Sequence, residues 1–261
     1  MDSLWTVKVV VTGGSGGLGS DLVRELSNRG AQAVPASRRT GLDLSTGKGL
    51  TEALTGADVI VHAATHPLRY RTVDLGGTRQ VIAELREVDS RAHVIYTSIV
   101  GADYNPYPYF QAKRACEMVL RNSGLPVTVV RATQFHELIA TVAGAARWPV
   151  AFVPPNVATQ PCERTWIAEQ LADIALAPPP GGYQRSPDLA GPEVLTVPEA
   201  IRLLCEHDGR RMPRLITLPK IGSTMKALAA GINLPGPDAT TGGRSFAEWI
   251  ETRSTIRGSA P

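Results

Sequence analysis

The chain has 261 residues, with 27 lysines and arginines against 24 aspartates and glutamates for a formal net charge of +3. Its basic residues are spread along the chain, which excludes nucleic acid and an anionic membrane as expected partners. Three cysteines, Cys116, Cys162 and Cys205, lie far apart without a C-x-x-C, and His62, His66, His93, His136 and His207 show no H-E-x-x-H spacing, so neither a disulfide framework nor a metal site is expected.

The N-terminus shows no basic segment leading into an apolar core and cleavage site. No apolar run of about 18 residues occurs either, so the expected location is the cytoplasm, with no membrane span. Through the first 155 residues, short apolar runs alternate with helical patterns. Strands are predicted at 6–12, 32–36, 57–63, 92–98, 126–131 and 150–153, and helices at 17–29, 48–55, 72–88, 107–123 and 135–146. Alternation of this kind implies βαβ units and a parallel sheet buried on both faces. The expected fold is α/β, a doubly wound Rossmann core over residues 1–155, with a small C-terminal lobe packed on it over 156–251 and a flexible tail at 252–261. The lobe is richer in proline and irregular, and Thr196-Val197-Pro198-Glu199 reads as a capping box that opens one of its helices.

In chain order, the first informative stretch is Val7 to Val11 followed by Gly13, Ser15, Gly16, Gly17, Leu18 and Gly19. It reads as strand, phosphate-binding turn and helix. Gly13 allows the sharp turn, Gly16 the close approach of a pyrophosphate, and Gly19 tight packing of helix on sheet. No Gly-Lys-Ser/Thr follows, which argues against a kinase-type phosphate loop. The second strand ends in Ser37-Arg38-Arg39, where an acid would accept from a ribose 2′-hydroxyl and arginine would accommodate a 2′-phosphate. NADP(H) is therefore expected over NAD(H).

The third strand ends in Ala63-Ala64-Thr65, small side chains that suit close approach to a flat cofactor. His62, inside the apolar run, reads as a core histidine; His66, just beyond it, is a candidate substrate contact. The fourth strand delivers Ser98 to its carboxyl edge, where ligands bind in open α/β sheets. Tyr109 and Lys113, four apart on the next helix, fall on one face, and of Tyr104, Tyr107 and Tyr109 only the last has such a partner. Tyr104, Phe135 and His136 complete the candidate substrate or supporting contacts.

The spacing Gly13-x-x-Gly16-x-x-Gly19, the serine at 98, the Tyr109-Lys113 pair and the run Arg131-Ala132-Thr133-Gln134-Phe135-His136 together resemble the atypical, NmrA-like short-chain dehydrogenase/reductases. The resemblance spans residues 6 to about 208. It implies that Asp43-Leu44 contacts the adenine ring and that Ala63 to Thr65 line the nicotinamide ribose. It implies further that Tyr109 gives a proton to a carbonyl oxygen while the nicotinamide gives hydride to its carbon. Lys113 would stabilise the phenolate and hold the ribose, and Ser98 would orient the carbonyl. Asp74 stands where the family often carries asparagine, and a carboxylate there would partly cancel the field of Lys113 on Tyr109. The function so implied is NADPH-dependent reduction of a carbonyl, quinone or enone of a small-molecule substrate by a monomer or homodimer. The alternatives are a cofactor-binding redox sensor and an epimerase or dehydratase built on the same site.

Overall fold

The computed structural model of the chain describes residues 6–154, 157–219 and 221–257. In order, the elements are β1 (Lys8–Thr12), α1 (Gly17–Asn28), β2 (Gln32–Ala36), α2 (Leu50–Leu54), β3 (Val59–His62), α3 (Gly77–Glu87), β4 (His93–Ile99), α4 (Pro108–Arg121) and β5 (Val127–Ala132). Then come α5 (His136–Gly144), β6 (Val150–Val153), β7 (Ala158–Thr159), α6 (Arg164–Leu176), β8 (Tyr183–Arg185), β9 (Leu189–Ala190), β10 (Leu195–Thr196), α7 (Val197–His207), β11 (Arg214–Thr217), α8 (Ser223–Ala229), β12 (Thr240–Thr241) and α9 (Phe246–Arg257). A 3-10 turn, Arg38–Thr40, follows β2, and a π-helical turn, Arg71–Gly76, leads into α3.

Contacts divide the chain into two interleaved units, the first made of residues up to 98, 108–131 and 167–186, the second of 99–107, 132–166 and 187 onward. The single boundary expected at 155/156 does not coincide with this division.

In the first unit the strands lie in the order β8-β5-β4-β3-β1-β2, with parallel pairing at β2–β1, β1–β3, β3–β4 and β5–β8. Strand residues alternate between two apolar faces. Val10, Ile60, Val94, Tyr96, Val127 and Val129 pack with Leu50 and Leu54 of α2, Val81, Ile82 and Leu85 of α3, and Cys116 and Leu120 of α4. The residues of opposite parity, Val9, Val11, Val61 and Ile95, are as deeply buried. Leu22 and Leu26 of α1 and Leu171 and Ala172 of α6 are also fully buried and lie outside that cluster, and Arg29 of α1 pairs with Asp173 of α6. Helices thus cover both faces, as the near-continuous apolar strands require. Each fully buried Val or Leu contributes about 1.5–3 kcal/mol relative to exposure. The order changes direction at β1, which pairs β2 on one side and β3 on the other, and ligands of such sheets bind outside the carboxyl ends of the strands at that point.

The second unit has its own core of Ile139, Ala143, Ala151, Val153, Leu195, Ile201, Leu204, Phe246 and Ile250. The capping box on α7 forms as expected, with Thr196 N donating to Glu199 Oε2 at 2.7 Å and Glu199 N to Thr196 Oγ1 at 3.4 Å. Two expectations are corrected. The strand at 150–153 does not extend the main sheet; it pairs in parallel with β11 in a sheet of two. The sheet's further strand comes instead from β8. The chain is also helical beyond residue 251, since α9 continues through Arg257; the remaining residues of the expected tail, 258–261, lie outside the described ones.

Candidate functional site

β1 runs into Gly13, whose φ of +74° is in the left-handed region open to glycine. Its N–H donates to Ala36 O at 2.8 Å, and Gly16 N donates to Gly13 O at 2.8 Å. A Cβ on Gly13 would stand 2.8 Å from Ala64 Cα, and one on Gly19 would strike the Gly13 carbonyl. Close packing is thus required at Gly19, but against the turn rather than against the sheet. α1 begins at Gly17, and its N-cap, Gly16, offers no side-chain acceptor to the N–H groups of the first turn. Those donors and the positive end of a twelve-residue helix make an anion cradle that a pyrophosphate fits.

Ser15 Oγ lies 2.7 Å from Ser37 Oγ, linking this cradle to the turn that bears Arg38 and Arg39. Both arginines are exposed. Asp43 Oδ1 accepts from Ser45 N at 2.9 Å and Ser45 Oγ at 2.6 Å, and these bonds, more than the Arg38 charge, hold its carboxyl below the usual range. Leu44 belongs to the core of the first unit, so its side chain is not open to a ring.

At the carboxyl ends of β3 and β4 a second cluster forms. Tyr109, half-buried on the first turn of α4, has its phenol oxygen 2.9 Å from Thr65 Oγ1. Thr65 donates to Asp74 Oδ1 at 2.6 Å; His66 N donates to Asp74 Oδ2 at 3.0 Å; Lys113 Nζ lies 3.2 Å from Asp74 Oδ1. Lys113 Nζ also donates to Thr97 O at 3.1 Å and sits 5.8 Å from the Tyr109 ring centre. Burial pulls the Lys113 ammonium down, but the charges of Tyr109 and Asp74 outweigh it and leave its pKa above the ordinary lysine value.

Asp74 is fully buried, and a chain of side-chain hydrogen bonds ending on its backbone carbonyl fixes its place. Thr78 Oγ1 donates to Asp74 O at 2.8 Å, so it accepts from His62 Nε2–H at 3.1 Å, and His62 Nδ1 accepts from Thr12 Oγ1 at 2.7 Å. Burial pushes the His62 pKa down to about 4, which keeps the ring neutral and able to bridge two hydroxyls. His62 is thus the core histidine expected.

Ser98, expected to orient a carbonyl, is engaged by a buried carboxylate. Its hydroxyl donates to Glu117 Oε1 at 2.5 Å, and Glu117 is forked by Arg131, Nε to Oε1 at 2.9 Å and Nη2 to Oε2 at 2.6 Å. All three are buried. A hydroxyl has one proton, and in this arrangement that of Ser98 is given to the carboxylate. Glu117 did not stand out in the sequence, and Arg131 did so only as part of the run that carries the resemblance; the available signal was Glu117 at four residues beyond Lys113, on the buried face of α4.

Other candidates scatter. His66 Nδ1 accepts from Arg69 N at 3.1 Å and so braces its own loop. His136 is fully buried in the second unit, its Nε2 bonded to Arg244 O at 2.9 Å and its ring centre 5.6 Å from Phe246 and 5.4 Å from Trp249, which is core packing rather than a cleft position. Phe135 caps the start of α5 and bridges to Cys162. Tyr104 is 79% exposed. Among the described residues, no group of three or more His, Cys, Asp or Glu could hold a metal ion, and no helix is long and apolar enough to cross a membrane.

The anion cradle at β1 and the cluster at β3 and β4 define a nucleotide-binding Rossmann protein. Residues 13–175 match a family described as NAD(P)H-binding, and the chain belongs to it. Among curated proteins it is 26% identical over 149 residues to the photosystem II assembly factor Ycf39 of Cyanophora paradoxa and 24% identical over 149 to that of Synechocystis sp.. Each match covers 50% of this chain and 46% of the relative, so the chain spans about half the length of the curated relatives it matches. Among solved structures, an NADPH-dependent quinone oxidoreductase of Escherichia coli in complex with NADPH is 18% identical, with a TM-score of 0.77 and coverage of 94% of this chain and 99% of that one. The triphenylmethane reductase of Citrobacter sp. is 14% identical (TM-score 0.75, coverage 94% and 98%), and the UDP-glucuronic acid 4-epimerase of Bacillus cereus 16% (0.72, 97% and 100%). These identities speak to the fold alone.

Proposed function

We propose that this chain is an NADP(H)-dependent oxidoreductase that reduces a carbonyl, quinone or enone of a small molecule. The observation that carries the reading is the half-buried phenol of Tyr109, hydrogen-bonded at Thr65 beside the buried ammonium of Lys113, at the carboxyl ends of β3 and β4. When bound, the cofactor supplies hydride. The first turn of α1 would hold its pyrophosphate, Arg38 and Arg39 a 2′-phosphate, and Lys113 its nicotinamide ribose. Tyr109 presents its O–H to the substrate oxygen, and Lys113 stabilises the phenolate left behind. Ser98 enters through Glu117 rather than by touching substrate.

The test is NADPH oxidation against a panel of quinones, ketones and enones, with wild type beside Tyr109→Phe. The variant removes the phenol hydroxyl and with it the transferable proton, so turnover falls by roughly a hundredfold or more while NADPH still binds. Undiminished turnover would refute the mechanism. For the cofactor, calorimetry should show NADPH binding more tightly than NADH, with the gap narrowing roughly tenfold or more in Arg38→Ala/Arg39→Ala. Equal affinities in wild type, unmoved by the double variant, would remove the preference.

A second reading, a cofactor-binding sensor without turnover, draws on the bond between Lys113 and Asp74, which diverts part of the ammonium's field from Tyr109. It is favoured if no substrate turns over and a partner binds only one redox form of the loaded protein.

A further inference from the structure

We propose that Thr65 is a two-position proton switch that, governed by Asp74, sets Tyr109 as an acid; this rests on reading Tyr109 as the proton donor. A threonine hydroxyl has one proton and two lone pairs. Its 2.6 Å approach to Asp74 Oδ1 commits that proton to the carboxylate, which has none to return. At 2.9 Å from Tyr109, Thr65 can then only accept, so the phenol is the donor and the resting order is Tyr109 to Thr65 to Asp74.

During reduction the substrate carbon receives the hydride that the cofactor supplies, with oxidation of the cofactor, and the C=O π pair moves onto oxygen. The Tyr109 O–H turns from Thr65 to the substrate oxygen and its O–H bond breaks, its electron pair stays on the phenolate oxygen, and the proton forms the new O–H of the product. The phenolate cannot donate, and it becomes the better acceptor for Thr65. Rotation about the Cβ–Oγ1 bond turns the Thr65 proton from Asp74 to Tyr109. Asp74 tolerates the loss, since His66 N and Lys113 Nζ still hold it at 3.0 and 3.2 Å. Reprotonation of the phenolate from solvent returns Thr65 to Asp74; the exposure of Thr65 leaves that path open.

The consequence is directional. A carboxylate at 74 can only accept, so it draws the hydroxyl chain into the order that keeps Tyr109 protonated. An amide there could donate to Thr65 as well, and would allow Thr65 to face a phenolate at rest. Thr65 and Asp74 are positioning residues, acting through Tyr109.

The experiment follows the Tyr109 ring carbon by NMR in protein labelled with 13C-tyrosine, assigned by its loss in Tyr109→Phe, across a pH titration of the full chain. In Asp74→Asn the phenolate signal is expected at lower pH than in wild type. In Thr65→Val the Asp74→Asn change is expected to have little further effect, because the link is gone, and Thr65→Ser is expected to behave as wild type. A shift of equal size in both backgrounds shows charge acting through space and overturns the switch, as does no shift in either. If Asp74→Asn does not fold, the pair at the exposed position 65 decides: Thr65→Val indistinguishable from wild type overturns the proposal, and an altered titration restored in Thr65→Ser supports it. Where a quinone turns over, Thr65→Val is expected to lower kcat about tenfold, with Thr65→Ser within about threefold of wild type. Absence of turnover on every substrate defeats the reductase reading and leaves the titration arms to judge the switch.

Discussion

Lys113 and Glu117 sit one turn apart on α4, both nearly inaccessible, and each ends in an ion pair: Lys113 with Asp74 on the turn before α3, Glu117 with Arg131 on β5. At Glu117 the fork from the buried Arg131 and the proton from the buried Ser98 satisfy the carboxylate. Around Asp74 the same kind of charge is connected through Thr65 to a half-buried phenol. Two pairs of similar chemistry on one helix thus differ in the hydroxyl each one holds, the buried Ser98 at Glu117 and the exposed Thr65 at Asp74. Burial alone does not identify a functional charge; the route out of it does.

That contrast can be broken or sharpened by experiment. The largest effect is expected from Glu117→Gln, which strands the Arg131 guanidinium in the core and should cost about 3–5 kcal/mol in urea unfolding. Ser98→Ala, the paired control, should cost about 1–2 kcal/mol and leave turnover within a few-fold. A tenfold loss of turnover in a folded Ser98→Ala protein would put Ser98 among the reacting groups and erase the distinction. A smaller effect comes from pH. His62, behind Asp74, and His93, bonded to Thr128 at 2.8 Å, both have pKa values lowered to about 4 by burial. The unfolded chain takes up these protons near 6.5, whereas the folded one refuses them until about 4. Stability is therefore full above about pH 6.5 and declines between there and pH 4, by on the order of 3 kcal/mol from His62 alone. Urea midpoints across that range check the slope, and His93→Gln should flatten part of it. A stability independent of pH over this window would show that the rings are accessible after all.

The parts of the fold readable in the sequence are those with local causes. β1 to β5 are apolar runs set off by turn residues, and the left-handed Gly13 and the Tyr109-Lys113 spacing are matters of backbone geometry. What escaped depends on distant partners. Tyr183-Gln184-Arg185 is short and half polar, and becomes strand β8 only because β5 offers it an edge. Val150 to Val153 has a strand's composition, and which sheet it joins is decided by β11, far along the chain. His136 follows a turn that points toward a cleft in the family pattern, yet Phe246 and Trp249 enclose it. Thr65 carries no signal beyond being small. Its importance arises only when Asp74 and Tyr109 are brought to either side of it.

The interleaving of the two units bears on how the chain is made. Synthesis from the N-terminus completes β1 to β5 and the Tyr109 cluster early, but β5 must wait for Tyr183–Arg185 through the whole of the intervening segment. Until then a ladder of unpaired N–H and C=O groups lies open along a Val-rich strand, a template that another nascent chain could occupy. The hazard of aggregation in this protein is therefore set less by final stability than by the delay between the emergence of β5 and the arrival of β8.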